Sequence, residues 1–562
     1  MAPSISGLAI AAFGIWLAGS VTAQSANASL PVVDLGYELH QASFYNSTGG
    51  FYNFSNIRYA APPTGANRFR APQPPATNRT AIQQGTPGRI CPQAGVAWGA
   101  IATPFIAAYL SGQTQFNSSS FNISTASSGS LPVQDPRSTE DCLFLDVVVP
   151  EAILNNAGKG YGAPVLVWIY GGGYTMGDKS GSGNPAGLLQ QSEANNGGGV
   201  IYVSMNYRLG AFGWLSGPTF QTNGDANAGL LDQRFALEWV QQHIAAFGGD
   251  PNRVTVFGES AGGGSIMHQI TAYGGRNGSA PFQQAIPQSP GFAPIVSNQQ
   301  QEQIFNGFLS LLNVSTIEQA RNLSFTALQT ANIIQVGGSP YGGFTYGPAV
   351  DGNFVPALPG ELLLHGQYDK NLRIMVGHNA NEGLLFTSPF VQNDTAFVTN
   401  LQTTLPTLRA WPQILSYIMN TLYPPVFDGS QAMGYTNQIA RAAALTSELV
   451  FTCNTFYLDK AYGNNTYSYF FTVPPALHGQ DVAYTYYNGP SASVLNSTVA
   501  VTLQQYITRF AETGMPNEAG APYFNMYGSN ATVEVLNVSR ISAAMDPTAN
   551  QRCNFWQKAL YV

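Results

Sequence analysis

The tract from Phe247 to Gly264, FGGDPNRVTVFGESAGGG, constrains the fold of this chain more than any other segment. Its β-branched run Val254 to Phe257 reads as a short buried strand, and the small residues after Ser260 read as the start of a helix. Between them, Gly258-Glu259-Ser260-Ala261-Gly262 forms a G-x-S-x-G turn. The turn is so sharp that side chains at positions 258 and 262 would strike neighbouring backbone. It holds the Ser260 hydroxyl clear of the sheet, above a helix N-terminus whose free N–H groups favour negative charge. Ser260 is therefore the candidate nucleophile. The five-residue pattern alone arises by chance in glycine-rich chains; the longer tract is far more specific.

The rest of the chain supplies the sheet that such a turn requires. Strand-like runs occur at Val147–Val149, Val165–Ile169 and Val200–Met205, each closed by glycine or a turn. A helical stretch spans Leu230 to Ala246, helical patterns recur around 300–335, and apolar runs follow at Leu372–Val376 and Tyr467–Val473. Strands alternating with helices predict an α/β fold with a large, mostly parallel central sheet flanked by helices. No repeat or linker divides the chain, so residues 24–562 are read as a single domain. In such sheets reactive residues gather in loops at the strand C-terminal ends.

A serine hydroxyl needs an adjacent base, and the base needs an orienting carboxylate. After this kind of turn the order along the chain is serine, acid, histidine. His40 and His243 precede Ser260, and His268 lies two helical turns beyond it, too far to reach back. His365, His378 and His478 remain. His478 sits past the run Tyr467–Val473 and a Pro474-Pro475 turn, whereas Glu382 follows the run Leu372–Val376 in the loop GHNANEG. Asp351 with His378 is a second acid–base pairing in the permitted order. Tyr170-Gly171-Gly172-Gly173-Tyr174, after the run Val165–Ile169, is a glycine stretch able to turn its amides towards a ligand.

Composition excludes several other classes. A net charge of −7 with scattered basic residues gives no stripe to track phosphates, so no nucleic-acid partner is expected. No C-x-x-C, H-E-x-x-H or clustered His/Asp pattern points to a metal, and the Gly258–Gly264 stretch lacks the Lys-Ser/Thr of a nucleotide loop, so no cofactor is expected.

Met1 to Ala23, apolar from Ile5 to Ala18 and ending in small residues, reads as a signal peptide of a secreted protein. No stable membrane insertion is expected, because the apolar run is too short for a comfortable span. Dense Asn-x-Ser/Thr sequons agree with export, and glycans would add solubility to a chain only 9% charged. Cys91, Cys142, Cys453 and Cys553 form an even set with three possible pairings.

The elbow tract resembles the type-B carboxylesterase/lipase family, which includes the cholinesterases. The similarity extends to RYAAPPTGANRF at 58–69, to EDCLFL at 140–145 and to CNFW at 553–556. The resemblance implies an α/β-hydrolase fold and a secreted serine hydrolase that cleaves small-molecule or lipid carboxylic esters through an acyl-enzyme on Ser260. Family loops of the forms N-x-x-E-G and H-G-x-[DE] match Asn379–Gly383 and His478–Asp481, which carries the acid role to Glu382 and the base role to His478. The oxyanion hole falls to the N–H groups of Gly172, Gly173 and Ala261. The same resemblance pairs Cys91 with Cys142, Cys453 with Cys553 and Arg68 with Glu140. It makes the segment between Cys91 and Cys142 a disulfide-closed flap, apolar from Ala97 to Leu110. Tyr170 stands where relatives often have histidine, and Pro290 where they have glycine. Trp98 is not placed like the choline-binding tryptophan of cholinesterases. Two alternatives are carried: a lipase or sterol esterase acting on long-chain lipid esters, and an inactive adhesion-type module.

Overall fold

The computed structural model describes residues 30–117, 121, 134–160, 162–194 and 197–561. The signal-peptide reading of Met1 to Ala23 lies outside the described residues. Within them, β1 (Val32–Asp34), β2 (Glu38–Gln41) and β5 (Asn78–Gln83) form a small sheet. The remaining strands are β3 (Phe44–Asn46), β4 (Phe51–Arg58), β6 (Phe144–Pro150), β7 (Ala163–Ile169), β8 (Ile201–Met205), β9 (Gly249–Glu259), β10 (Gln284–Gln288), β11 (Arg373–Asn379), β12 (Tyr467–Phe471), β13 (Thr532–Leu536) and β14 (Ile541–Met545). They build one eleven-stranded sheet in the order β14-β13-β12-β11-β10-β9-β7-β8-β6-β4-β3.

From β8 to β13 every neighbouring pair is parallel. The antiparallel pairs lie on the flanks, β3–β4, β4–β6 and β6–β8 on one side and β13–β14 on the other. The sequence of the interior strands explains this. β7 (APVLVWI) and β8 (IYVSM) are buried at every position, which suits a sheet covered on both faces. Their apolar side chains, together with Val254, Val256 and Phe257 of β9, belong to the main core.

Helices follow the capping chemistry of their sequence. Ser497–Thr513 begins at Asn496, whose side chain accepts from the N–H groups of Thr498 and Val499, and ends at Gly514 with φ 77°. It packs across β7 and β9, and the helix Ala228–His243 also lies against β9. The C-terminal ends of the parallel strands β9, β11 and β12 share one edge of the sheet, where Ser260, Glu382 and His478 follow their strands.

A second, smaller apolar cluster lies apart from the main core. The flap segment forms the helix Gly99–Leu110, with Ala102, Phe105 and Ile106 buried. Phe105 and Ile106 join Phe116, Phe121, Leu384 and Ile439, with Leu477 against them. Leu384 and Leu477 belong to the loops that carry Glu382 and His478, so the flap packs on the site's own supports.

Candidate active site

The turn after β9 has the strain that its sequence forecasts. Ser260 has φ 59° and ψ −123°, a conformation that L-residues rarely adopt. Neighbouring contacts hold it there. The Ser260 N–H donates to the Gln288 carbonyl at 3.0 Å, and the Ser260 carbonyl accepts from Gly264 and Gly291 at 2.8 and 2.9 Å. A Cβ on Gly258 or Gly262 would lie 2.4 or 2.0 Å from the Ile169 carbonyl oxygen, so β7 leaves room for glycine only.

Three separate loops converge on the Ser260 hydroxyl. His478 Nε2 lies 2.8 Å from Ser260 Oγ, and His478 Nδ1 lies 2.5 Å from Glu382 Oε2. The carboxylate acceptor fixes the proton on Nδ1 and leaves Nε2 free to accept from the serine. Glu382, fully buried in the turn Glu382–Leu384, is held through its other oxygen. Oε1 accepts from Ser289 Oγ and from the Asn379 N–H, both at 2.6 Å. Ser289 itself adopts φ 43°, just before Pro290. Phe386 and Phe451 enclose the imidazole, with ring centroids 5.0 and 4.3 Å from it.

The electrostatics come from a cluster of buried carboxylates. Glu259 Oε1 stands 3.3 Å from His478 Nε2, and both side chains are more than nine-tenths buried. Burial pushes Glu259 up to about 8, against the pull of the His478 charge. Burial works to lower His478, but the charges of Glu259 and Glu382 outweigh it and raise the imidazole to about 9. Asp481, also raised by burial, is tied to Tyr469 Oη at 2.6 Å and Asn379 Nδ2 at 3.0 Å. The site therefore favours an imidazolium, the species formed when a base takes a serine proton.

The glycine run lies across the cleft. Gly172 and Gly173 have φ 108° and 63°. A Cβ on Gly172 would sit 2.3 Å from the Met176 carbonyl oxygen, and one on Gly173 would sit 2.3 Å from the Phe344 ring. The N–H groups of Gly172, Gly173 and Ala261 have no acceptor among the described residues. Ala261 opens the helix Ala261–Ile270, whose N-terminus adds partial positive charge.

The other sequence candidates lie elsewhere. His268 is buried, bonds the Gly264 carbonyl at 2.8 Å and is lowered by burial to about 4. His365 is exposed at a helix end. His378 points to Thr455 at 3.3 Å, while Asp351 is bonded to Asn227 and to the Asn353 and Val355 N–H groups. That pairing is not assembled. The disulfides are Cys91–Cys142 and Cys453–Cys553, and Arg68 makes a two-pronged ion pair with Glu140 at 2.6 and 2.7 Å. Among the described residues no group of three or more His, Cys, Asp or Glu could hold a metal ion, and no helix is long and apolar enough to cross a membrane.

Sequence reasoning missed Ser289, Glu259 and the aromatic pair Phe386 and Phe451. Glu259 offered a signal, an acid adjoining the nucleophile in the most specific tract. Ser289 offered none, because its contact with Glu382 joins residues 93 positions apart.

Comparison with known proteins places the chain in a family. The Carboxylesterase family matches residues 40–556. The chain is 43% identical to carboxylesterase patB of Penicillium expansum over 551 residues, covering 94% of this chain and 96% of the relative. It is 31% identical to a secreted lipase of Arthroderma benhamiae over 451 residues, covering 76% and 84% of the two. Among solved structures, Aspergillus niger EstA superposes with a TM-score of 0.76 at 26% identity, covering 94% of this chain and 98% of that one. The mixed sheet, its flanking helices and the shared fold are those of the α/β-hydrolase esterases. The chain belongs to the carboxylesterase family and is a carboxylic ester hydrolase.

Proposed function

We propose that the enzyme splits its ester by two successive acyl transfers on Ser260. Ser260 Oγ attacks the carbonyl carbon while its proton passes to His478 Nε2. The carbonyl electron pair moves onto oxygen, where the N–H groups of Gly172, Gly173 and Ala261 receive it; each such donor is worth about 3 kcal/mol. His478 then returns the proton to the departing alcohol oxygen, leaving an acyl-Ser260 ester. Water repeats the sequence with His478 as base, releasing the carboxylic acid and restoring the serine. Glu382, pinned by Ser289 and Asn379, keeps the imidazole in the required tautomer and steadies its positive form.

The observation that carries this reading is the unbroken hydrogen-bond chain Glu382–His478–Ser260. Turnover of p-nitrophenyl butyrate by wild type and Ser260→Ala tests it. The variant should lose about 10⁵-fold or more in kcat, and equal rates would remove the proposal.

Soluble esters are the preferred substrate class over emulsified lipid. The relatives named carboxylesterase are 43% identical, whereas those named lipase are 28–34% identical. An inactive adhesion-type role is disfavoured because the nucleophile, the acid and the base are all retained. We also infer that the chain works outside the cell. The leader-like Met1 to Ala23, two disulfides, exposed or partly exposed sequon asparagines and relatives named as secreted lipases support this.

A further inference from the structure

The loop Ser339–Thr345 runs beside the cleft and is held from three directions. The hydroxyls of Ser339 and Thr345 bond at 2.7 Å and close its base. Trp98 Nε1 donates to the Gly343 carbonyl at 2.8 Å. Gly342, with φ 80°, approaches Phe386 so closely that a Cβ would stand 2.2 Å from the Phe386 carbonyl oxygen. Tyr341 is therefore carried on a stiff support.

Its ring joins an aromatic wall that reaches the reacting groups. Tyr341 lies 5.0 Å from Trp98, and Trp98 lies 5.7 Å from Phe344 and 6.1 Å from Phe386, centroid to centroid. Phe344 packs on Gly173, and Phe386 stands edge-on to the His478 imidazole at 5.0 Å. Tyr341 is thus separated from both the glycine run and the base by Trp98 and one phenylalanine.

Within this wall the polar groups are treated unequally. The Trp98 indole N–H has its carbonyl acceptor, but the Tyr341 hydroxyl oxygen is buried with no partner, although the residue as a whole is partly exposed. Buried tyrosine hydroxyls ordinarily find one. Phenylalanine would fill the same space without stranding a hydroxyl, and the neighbouring rings of the wall at 344 and 386 are phenylalanine. Burial also raises the Tyr341 phenol, so it remains a donor throughout the neutral range.

We propose that Tyr341 is a specificity-determining residue whose hydroxyl donates to an oxygen on a side arm of the ester, several carbons from the scissile carbonyl. The partner is a ketone or hydroxyl oxygen in either the acid or the alcohol half. The inference rests on the Ser260 reading above and adds a substrate class: oxygenated esters ahead of plain alkyl esters.

The test uses the full-length enzyme and Tyr341→Phe on two substrate pairs. In the acid series these are p-nitrophenyl hexanoate and p-nitrophenyl 5-oxohexanoate; in the alcohol series, hexyl acetate and 5-oxohexyl acetate. Wild type should favour the oxo ester in at least one series by about tenfold in kcat/KM. Tyr341→Phe should erase that preference by slowing the oxo ester, while the alkyl ester stays within about twofold. The responding series identifies which half of the substrate carries the oxygen. Absence of an oxo preference in both series would overturn the proposal, as would a variant that slows both esters of a pair equally. An enzyme that hydrolyses none of the four would overturn the Ser260 reading and this proposal with it.

Discussion

At the scale of single residues, the placement of Glu259 sets how the site responds to pH. His478 must be neutral to accept the serine proton, yet Glu259 and Glu382 raise it to about 9 against the effect of burial. Activity should therefore climb as pH rises from neutral, since deprotonation releases the base. Glu259→Gln removes a negative neighbour 3.3 Å from Nε2 and disfavours the imidazolium. The acid limb of kcat/KM should move to lower pH, while the plateau falls about tenfold because the transition-state imidazolium loses a stabilising charge. A pH–rate profile of both enzymes reads the two effects separately; an unmoved limb would mean that Glu259 is neutral wherever His478 titrates. This residue exposes what sequence reading reaches. Ser260 is legible in its own tract, whereas strand ends and chain order leave two acid–base pairings open, and only the resemblance to family loops points to Glu382 and His478. Glu259 is visible as a letter but silent as chemistry, since its burial and its distance from His478 arise only when β9 and the loop after β12 meet. Ser289 is less legible still. Its role depends on a left-handed φ and on a carboxylate brought to it by another strand.

At the scale of elements, the apolar interior strands are readable, whereas interior β10 (QAIPQ), with its two glutamines and a proline, and the edge strands are not. β7 is a continuous apolar run, and β8 and β12 are broken only by Ser204 and Ser468, as suits a sheet covered on both faces. β3 spans Phe44–Asn46 with no buried residue, and β14 is likewise without one, so neither leaves a pattern to detect. The flap is an intermediate case. Its apolar stretch was apparent, but not that it would form a helix resting on a cluster separate from the main core. That separation has a measurable consequence. Phe105→Ala empties a fully buried site in the small cluster, at a local cost of about 3–5 kcal/mol. The loss should fall on docking of the helix Gly99–Leu110 rather than on the sheet. Hydrogen exchange should accelerate across that helix while the protection of β7 and β9 changes little. Because Leu384 and Leu477 share the cluster, kcat should also fall as the loops bearing Glu382 and His478 loosen. Equal acceleration in the helix and the sheet would show that the flap is part of one cooperative core.

At the scale of the whole molecule, stability and activity should respond to pH in opposite senses. Several carboxyls outside the Glu259–His478 pair are raised in the folded state chiefly by burial: Glu534 to about 7, and Asp459 and Asp481 upward as well. For an acid raised in this way, the folded state holds a proton that the unfolded chain has already released. Its contribution is fully present below the unfolded value, 4.5 for a glutamate, and is lost as pH rises through the folded value. His478, raised to about 9, acts in the same direction, with stabilisation full below 6.5 and lost towards 9. His268 opposes them: lowered to about 4, it stabilises above 6.5 and loses that contribution as pH falls towards 4. The melting temperature should therefore be highest in mildly acidic solution and decline as pH rises from 4.5 towards 9, through the folded values of Glu534 and His478. Over the neutral-to-alkaline part of that interval the fraction of neutral His478, and with it kcat/KM, increases. Calorimetry and rate measurements at matched pH should give curves of opposite slope. A melting temperature that rises through neutrality would mean that the buried carboxyls are ionised in the folded enzyme and stabilised by groups other than a proton.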